Sequence, residues 1–286
     1  MTELHDIPAP AKLNLFLHIT GRRPDGYHLL QSVFMLIDWQ DTLDFRLQPD
    51  GRITRSDADP HSQLPAEDLC VRAARKLQQY TGCTLGAHIH LHKQIPSEAG
   101  MGGGSSDAAS CLLALNRLWD LRLAPEQLAA IGLELGADVP FFLFGRNAWV
   151  EGIGEQLQPV ELPPARFLVV KPEEGAPTAK IFTDPALKRD TSAATIADFV
   201  ASTSPYQYGR NDLQPVAQGL CPSITQALSW LEQHKLQGRM TGSGTAVFAE
   251  LPTSFHDADL QHPATKNWKA RVCSNIALHP LLQWRA

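Results

Sequence analysis

Residues 11–19 alternate along the chain. Leu13, Leu15, Leu17 and Ile19 fall on one face of an extended strand, and Lys12, Asn14, Phe16 and His18 on the other. Lys12 and Asn14 therefore point the same way, and on pattern alone their face reads as solvated. Arg22-Arg23-Pro24-Asp25-Gly26 is a turn, after which Tyr27-His28 lead into an apolar run over 33–37. Residues 41–56 predict two strands broken at Pro49-Asp50-Gly51, and 57–65 a loop. A helix is predicted over 67–80, with Leu69, Ala73 and Leu77 on one face and Gly82 as its stop. His88, His90 and His92 share one face of a further strand. Such a trio raises zinc, but no local carboxylate or cysteine completes the set, and a solvated strand face is the preferred reading.

The next stretch organises the chain: Pro96-Ser97-Glu98-Ala99-Gly100-Met101-Gly102-Gly103-Gly104-Ser105-Ser106. It follows a strand and opens onto a helix that begins at Asp107, takes Ser105 or Ser106 as its cap and ends near Trp119. Glycines let the backbone approach a ligand closely, and free N–H groups of a first helical turn attract a phosphate. No Lys follows in P-loop register, and Gly-x-Gly-x-x-Gly fails at Ser105 or Asp107. A flexible linker is the bland alternative, but linkers seldom open directly onto a capped, apolar-faced helix.

Pro125 starts another helix, covering 126–135 and stopped by Gly136, and Asp138 follows in a turn before Pro140 and an aromatic run. A boundary is expected near 159–164, with a strand over 167–170 opening the second half. Residues 184–210 are polar and poorly patterned, and helical character begins at Asn211 and continues to His234. A second glycine loop, Thr241-Gly242-Ser243-Gly244, precedes a strand. No internal repeat or low-complexity tract is present.

Composition narrows the class. The 286 residues are 43% hydrophobic and 19% charged, ordinary for a soluble globular chain of about two domains. A net charge of −5 argues against a bulk nucleic-acid binder. Cysteines 70, 83, 111, 221 and 273 are odd in number and lack a Cys-x-x-Cys pair, which reads as free thiols in a reducing cytosol. Neither a signal peptide nor a membrane-spanning run is indicated, so a cytoplasmic protein is expected.

Pro-x-x-x-Gly-(Leu/Met)-Gly-x-x-Ser-Ser, followed by small residues, resembles the second motif of the GHMP kinases, which include galactokinase, homoserine, mevalonate and phosphomevalonate kinases. The long form here is most similar to the branch whose alcohol substrate carries a cytidine diphosphate and feeds the non-mevalonate route to isoprenoids. Further blocks follow in family order: Pro10-Ala11-Lys12-Leu13-Asn14-Leu15, Gly26-Tyr27-His28, Leu135-Gly136-Ala137-Asp138-Val139-Pro140, Glu151-Gly152-Ile153-Gly154-Glu155, Pro177-Thr178-Ala179-Lys180-Ile181-Phe182, and the 238–248 stretch as the third motif. Departures are Met101 for the commoner Leu, the variable Ser97-Glu98-Ala99, and Ala179-Lys180, none of which removes a catalytic group.

The resemblance implies an α+β, two-domain GHMP kinase fold with a ribosomal-protein-like N-terminal domain over 1–160, a ferredoxin-like C-terminal domain over 161–286, and an active-site cleft between them. It implies ATP as co-substrate, held by Pro96 to Ser106 and by Thr241 to Gly244, with Mg²⁺ and Ser106 as a candidate metal ligand. Asp138 is then the expected base for the alcohol, with Lys12 pairing it and stabilising the transferring phosphoryl group, and Asn14 positioning the hydroxyl. Tyr27, His28, Ile153, Thr178 and Phe182 are the expected substrate contacts, Tyr27 and Phe182 sandwiching the base. The expected partner is that small molecule alone, without nucleic acid or membrane, acted on by a monomer or weak homodimer. Two alternatives stay open: a homoserine- or mevalonate-type kinase, whose substrates carry no base, and a non-catalytic nucleotide or RNA binder.

Overall fold

A computed structural model describes residues 1–59, 64–256 and 267–285. Two strands dominate the N-terminal half, β1 (Glu3–Arg22) and β2 (His28–Gln48), paired antiparallel along their whole length. The second strand is longer than the sequence suggested: the apolar run and the segment after Asp41 form one continuous strand. Its free edge takes β4 (Gly86–His92) at one end, with β3 (Ile53–Asp57) parallel beyond it, and β5 (Ala148–Glu151) with β6 (Gln156–Pro159) at the other. Residues 60–63 of the expected loop lie outside the described residues.

Four helices cover one face of this sheet: α1 (Leu69–Thr81), α2 (Gly103–Leu118), α3 (Pro125–Leu135) and α4 (Val139–Phe144). Asp68 caps α1 through a bond from the Val71 amide, and Gly82 ends it at φ 69°, as its sequence position predicts. Helix α2 is the central one, its residues from Ser106 to Asn116 buried almost without interruption.

The C-terminal half builds a four-stranded antiparallel sheet in the order β10 (Lys269–Ser274), β7 (Arg166–Lys171), β9 (Val247–Glu250), β8 (Arg239–Met240). Phe167, Val169 and Phe248 face the N-terminal sheet and meet Leu13, Leu15, Val33 and Met35. Leu168, Val170 and Val247 face the other way, onto α7 (Gln214–Leu220) and α8 (Pro222–Gln233). A strand buried on both faces reads as a continuous apolar run, which is why 167–170 shows no alternation. The layers are therefore helix, sheet, sheet, helix.

A short helix, α5 (Thr178–Thr183), precedes the unpatterned segment, and another, α6 (Ile196–Val200), lies within it. That segment lies across β1. Thr191 donates its amide to Ile19, and Phe199 and Tyr208 pack on Phe16. Hence the second face of β1 is not solvated, contrary to its pattern: Phe16 is fully buried and His18 nearly so. The pairing also slips by one residue between Asn14 and Leu17, so strict alternation does not hold through the strand. Asn211 does not start a helix either. Its backbone bridges Leu17, its side chain carries the second glycine loop by donating to Met240 and Gly242, and helical structure begins only at Gln214 and breaks at Cys221.

Candidate active site

Lys12 is held from three sides. Its amide donates to the Met101 carbonyl at 2.9 Å, tying β1 to the first glycine loop. Its Nζ donates to Asn14 Oδ1 at 2.5 Å and lies 3.5 Å from Asp138 Oδ2, with the Phe34 ring centroid 4.5 Å away. Asn14 is fixed in turn: its Nδ2 donates to Ser32 Oγ, and its amide donates to Thr241 Oγ1 of the second glycine loop. Lys12 is 3% exposed, and burial lowers its pKa while Asp138 raises it. Asp138 immediately precedes α4 in helical conformation, its side chain capping nothing and left partly open to solvent.

The two glycine loops touch backbone to backbone. A Cβ on Gly100 would lie 2.2 Å from the Thr241 carbonyl oxygen, and one on Gly244 would lie 2.0 Å from the Gly100 nitrogen. Only glycine permits that approach. The helix cap differs from the sequence expectation. Gly102, at φ 70°, is the N-cap of α2, and Ser105 and Ser106 lie inside its first turn. Ser106 Oγ donates to the Pro10 carbonyl and is fully buried, whereas Ser105 faces a cavity. The amides of Gly103, Gly104 and Ser105 have no protein acceptor among the described residues, and they share the positive end of a 16-residue helix.

Two cavities adjoin this loop. The larger, about 650 Å³, is lined by Lys12, Asn14, Ser105, Asp138, Ile153, Gly242 and Ser243 and also by Tyr27, His28 and Phe182. Thr178 is not in its wall but bonds Ser243 at 3.4 Å, hydroxyl to hydroxyl. Tyr27 is 60% exposed, while His28 packs on Phe182 with centroids 5.3 Å apart. The smaller cavity, about 350 Å³, is lined by the whole run from Pro96 to Gly104, with Lys93 and Asp107.

Several wall residues gave no sequence signal: Arg22, Asp25 and Leu30 in the larger cavity, Lys93 and Asp107 in the smaller. Lys93 bridges Asp41 and Asp107. The two carboxylates hold the ammonium above the ordinary lysine range against its burial, while burial pushes the Asp107 carboxyl up. The histidines of β4 bond to neighbours, His88 and His90 to Ser56 and His92 to Asp44. Among the described residues no group of three or more His, Cys, Asp or Glu could hold a metal ion.

Glycine loops from both halves, a buried lysine against an aspartate, and a helix N-terminus facing open space form a phosphoryl-transfer arrangement. The sequence pattern of the GHMP kinases N terminal domain matches residues 68–146, and that of the GHMP kinases C terminal domain residues 193–270. A 4-diphosphocytidyl-2-C-methyl-D-erythritol kinase of Polaromonas naphthalenivorans is 64% identical over 288 residues, covering 98% of this chain and 96% of that protein. This chain belongs to the GHMP kinase family.

A protein of the same name from Acidovorax sp. is 62% identical, covering 99% of both chains. Among solved structures, a 4-(cytidine 5'-diphospho)-2C-methyl-D-erythritol kinase superposes with a TM-score of 0.77 at 31% identity, covering 96% of this chain and 98% of that one. Homoserine kinase from Cytophaga hutchinsonii shares the fold with a TM-score of 0.66 at 14% identity, covering 98% and 96%. As a GHMP kinase the chain is an ATP-dependent small-molecule kinase, and the expected α+β two-domain fold is the observed one. No helix of the described residues is long and apolar enough to cross a membrane.

Proposed function

We propose that this GHMP kinase transfers the γ-phosphoryl group of ATP to the 2-hydroxyl of 4-diphosphocytidyl-2-C-methyl-D-erythritol, giving the 2-phosphate and ADP in the non-mevalonate route to isoprenoid precursors. The observation that carries this reading is one cavity whose wall includes both the Lys12–Asp138 pair and the aromatic set Tyr27, His28 and Phe182. Homoserine and mevalonate have no base for such a set, and kinases for them resemble this chain at only 13–14% identity.

ATP would lie along the first glycine loop with its phosphates on the free amides of Gly103 to Ser105. Phosphoryl transfer needs in-line positioning and charge stabilisation more than covalent chemistry. The substrate oxygen bonds to the γ-phosphorus as the bond to the β-phosphate oxygen breaks. Asp138 accepts the hydroxyl proton, Lys12 stabilises charge on the phosphoryl oxygens, and Asn14, its amide fixed by Lys12 and Ser32, orients the alcohol. Mg²⁺ would arrive with ATP, its ligands mostly phosphate oxygens and water. Ser105, which lines the larger cavity, suits that ion better than Ser106, which is fully buried. The reaction is assigned to the cytoplasm, where ATP is supplied.

The test is ATP-dependent phosphorylation of the cytidyl substrate, with homoserine and mevalonate in parallel. Turnover of the cytidyl compound alone is expected. Asp138→Asn should lower kcat by about 10²–10⁴-fold with little change in KM. A near wild-type kcat would remove Asp138 from the mechanism, and turnover of another alcohol would discard the base pocket.

A further inference from the structure

Arg189 lies in the unpatterned segment between α5 and α6, far in sequence from β2. Its Nε donates to Nε2 of His28 at 3.1 Å. Its other nitrogens donate to the carbonyls of Phe182 at 3.1 Å, Asp184 at 2.7 Å and Leu187 at 3.0 Å. One guanidinium thus holds both the His28 ring and the backbone of Phe182, two walls of the larger cavity. Arginine has donors only, so Nε2 of His28 must accept. In a neutral imidazole the proton then sits on Nδ1. Burial, followed by the charges of Arg189 and Arg22, lowers the His28 pKa and keeps the ring neutral near pH 7. Nδ1 makes no hydrogen bond among the described residues.

We infer that Arg189 is a positioning residue for base recognition: it locks His28 in the Nδ1–H tautomer, and that fixed donor selects cytosine over uracil. This rests on the proposal above that His28 faces the base. Cytosine offers an acceptor at N3, where uracil carries N–H. A fixed donor matches the first and opposes the second, and a site built around one hydrogen-bonding pattern rejects the other by leaving polar groups unpaired. Released from Arg189, the ring is free to move its proton to Nε2 and accept from uracil, so the preference disappears.

The experiment compares CDP and UDP binding by calorimetry for the wild-type chain, Arg189→Met and Arg189→Lys, with ¹⁵N NMR of histidine-labelled protein reporting the His28 tautomer without ligand. The wild type should favour CDP by about tenfold or more, and Arg189→Met should bring the two affinities within about twofold of each other. His28 should pass from one tautomer to a mixture. Arg189→Lys keeps a donor to Nε2 and should retain part of the preference, with the fold intact. A purely structural Arg189 would weaken CDP and UDP equally and leave the tautomer unchanged, which overturns the inference, as does an undiminished CDP preference in Arg189→Met. A wild type that binds neither nucleotide removes the cytidine pocket and the selectivity claim with it. The ligand-free tautomer then decides separately whether Arg189 sets the state of His28.

Discussion

Gly102 carries two independent constraints, and a three-glycine series separates them. At φ +70° it occupies the left-handed region, where an alanine costs roughly 1–2 kcal/mol. A Cβ there would also sit 2.9 Å from Phe142 Cζ and 3.3 Å from Lys12 Cε. Phe142 is fully buried and cannot swing away, so overpacking adds about 1–3 kcal/mol. Gly82 has nearly the same dihedral, φ +69°, but nothing among the described residues within 4 Å of its would-be Cβ, and Gly219 has neither restriction. Gly102→Ala should therefore lose roughly 2–5 kcal/mol and Gly82→Ala about 1–2 kcal/mol. Gly219→Ala, inside α7, should gain about 0.5–1 kcal/mol. Urea denaturation gives the stabilities. The same proteins are assayed for kinase activity, because Gly102 meets Lys12 and caps the helix whose free amides are proposed to hold ATP. A misplacement of about 1 Å at such a point can cost about 10² in rate, so kcat should collapse in Gly102→Ala and not in the other two. Equal destabilisation by Gly102→Ala and Gly82→Ala would show that the Phe142 contact contributes nothing. A stable, fully active Gly102→Ala would refute the role of the loop.

Lys12 and Asp138 should behave as one unit: Lys12→Met is expected to lower kcat by about 10²–10³, and the double variant with Asp138→Asn should be no more than about tenfold worse than the poorer single. Multiplicative losses in that cycle would mean that the two residues act independently. His279 is buried, its Nδ1 accepts from the Leu281 amide, its Nε2 has no partner among the described residues, and burial pushes its pKa from 6.5 down to about 4. With the folded value below the unfolded one, the unfolded state takes up the proton first as pH falls. Stability present above pH 6.5 should then fall by up to about 3 kcal/mol between 6.5 and 4. Denaturation midpoints of His279→Met should show a flatter slope over that window, and an unchanged slope would assign the acid sensitivity elsewhere.

The helices and the phosphate loop were legible because their signals are local. Gly82 stops α1 as read, although the helix starts at Leu69 behind its Asp68 cap and not at 67, Pro125 and Gly136 bracket α3, and the glycine run announces itself by composition. The fate of β1 was not legible. Lys12, Asn14, Phe16 and His18 follow a half-solvated pattern, yet their face is covered by groups more than a hundred residues away: Asp138 over Lys12, Phe199 and Tyr208 over Phe16. No window of sequence contains that information. The helix cap failed for a different reason. Serine is the better cap on propensity, but Ser106 reaches the Pro10 carbonyl and Gly102 alone fits beside Phe142, so tertiary contact overrides local preference. Arg189 sits in a segment without periodicity and Asn211 at what reads as a helix start, because both act through side-chain bonds to distant backbone and side-chain groups, and such bonds leave no repeat to read.

The position of Lys12 explains why both halves are needed for one reaction. An ammonium on a flexible stem is worth little in water, where its charge is screened and its rotamers are many. Here the stem is buried against Gly102, the amide is fixed to Met101, and Nζ is held by Asn14, whose own amide bonds Thr241 of the C-terminal loop. Burial strengthens the field of the charge but disfavours the charge itself, and Asp138 offsets that cost. The carboxylate given the role of proton acceptor is thus also the group that favours the charged form of the lysine against its burial. A loop from each half fixes the distance between them. Separating the two sheets would release Thr241 from Asn14 and Gly244 from Gly100 together, so docking of the halves and assembly of the site are one event.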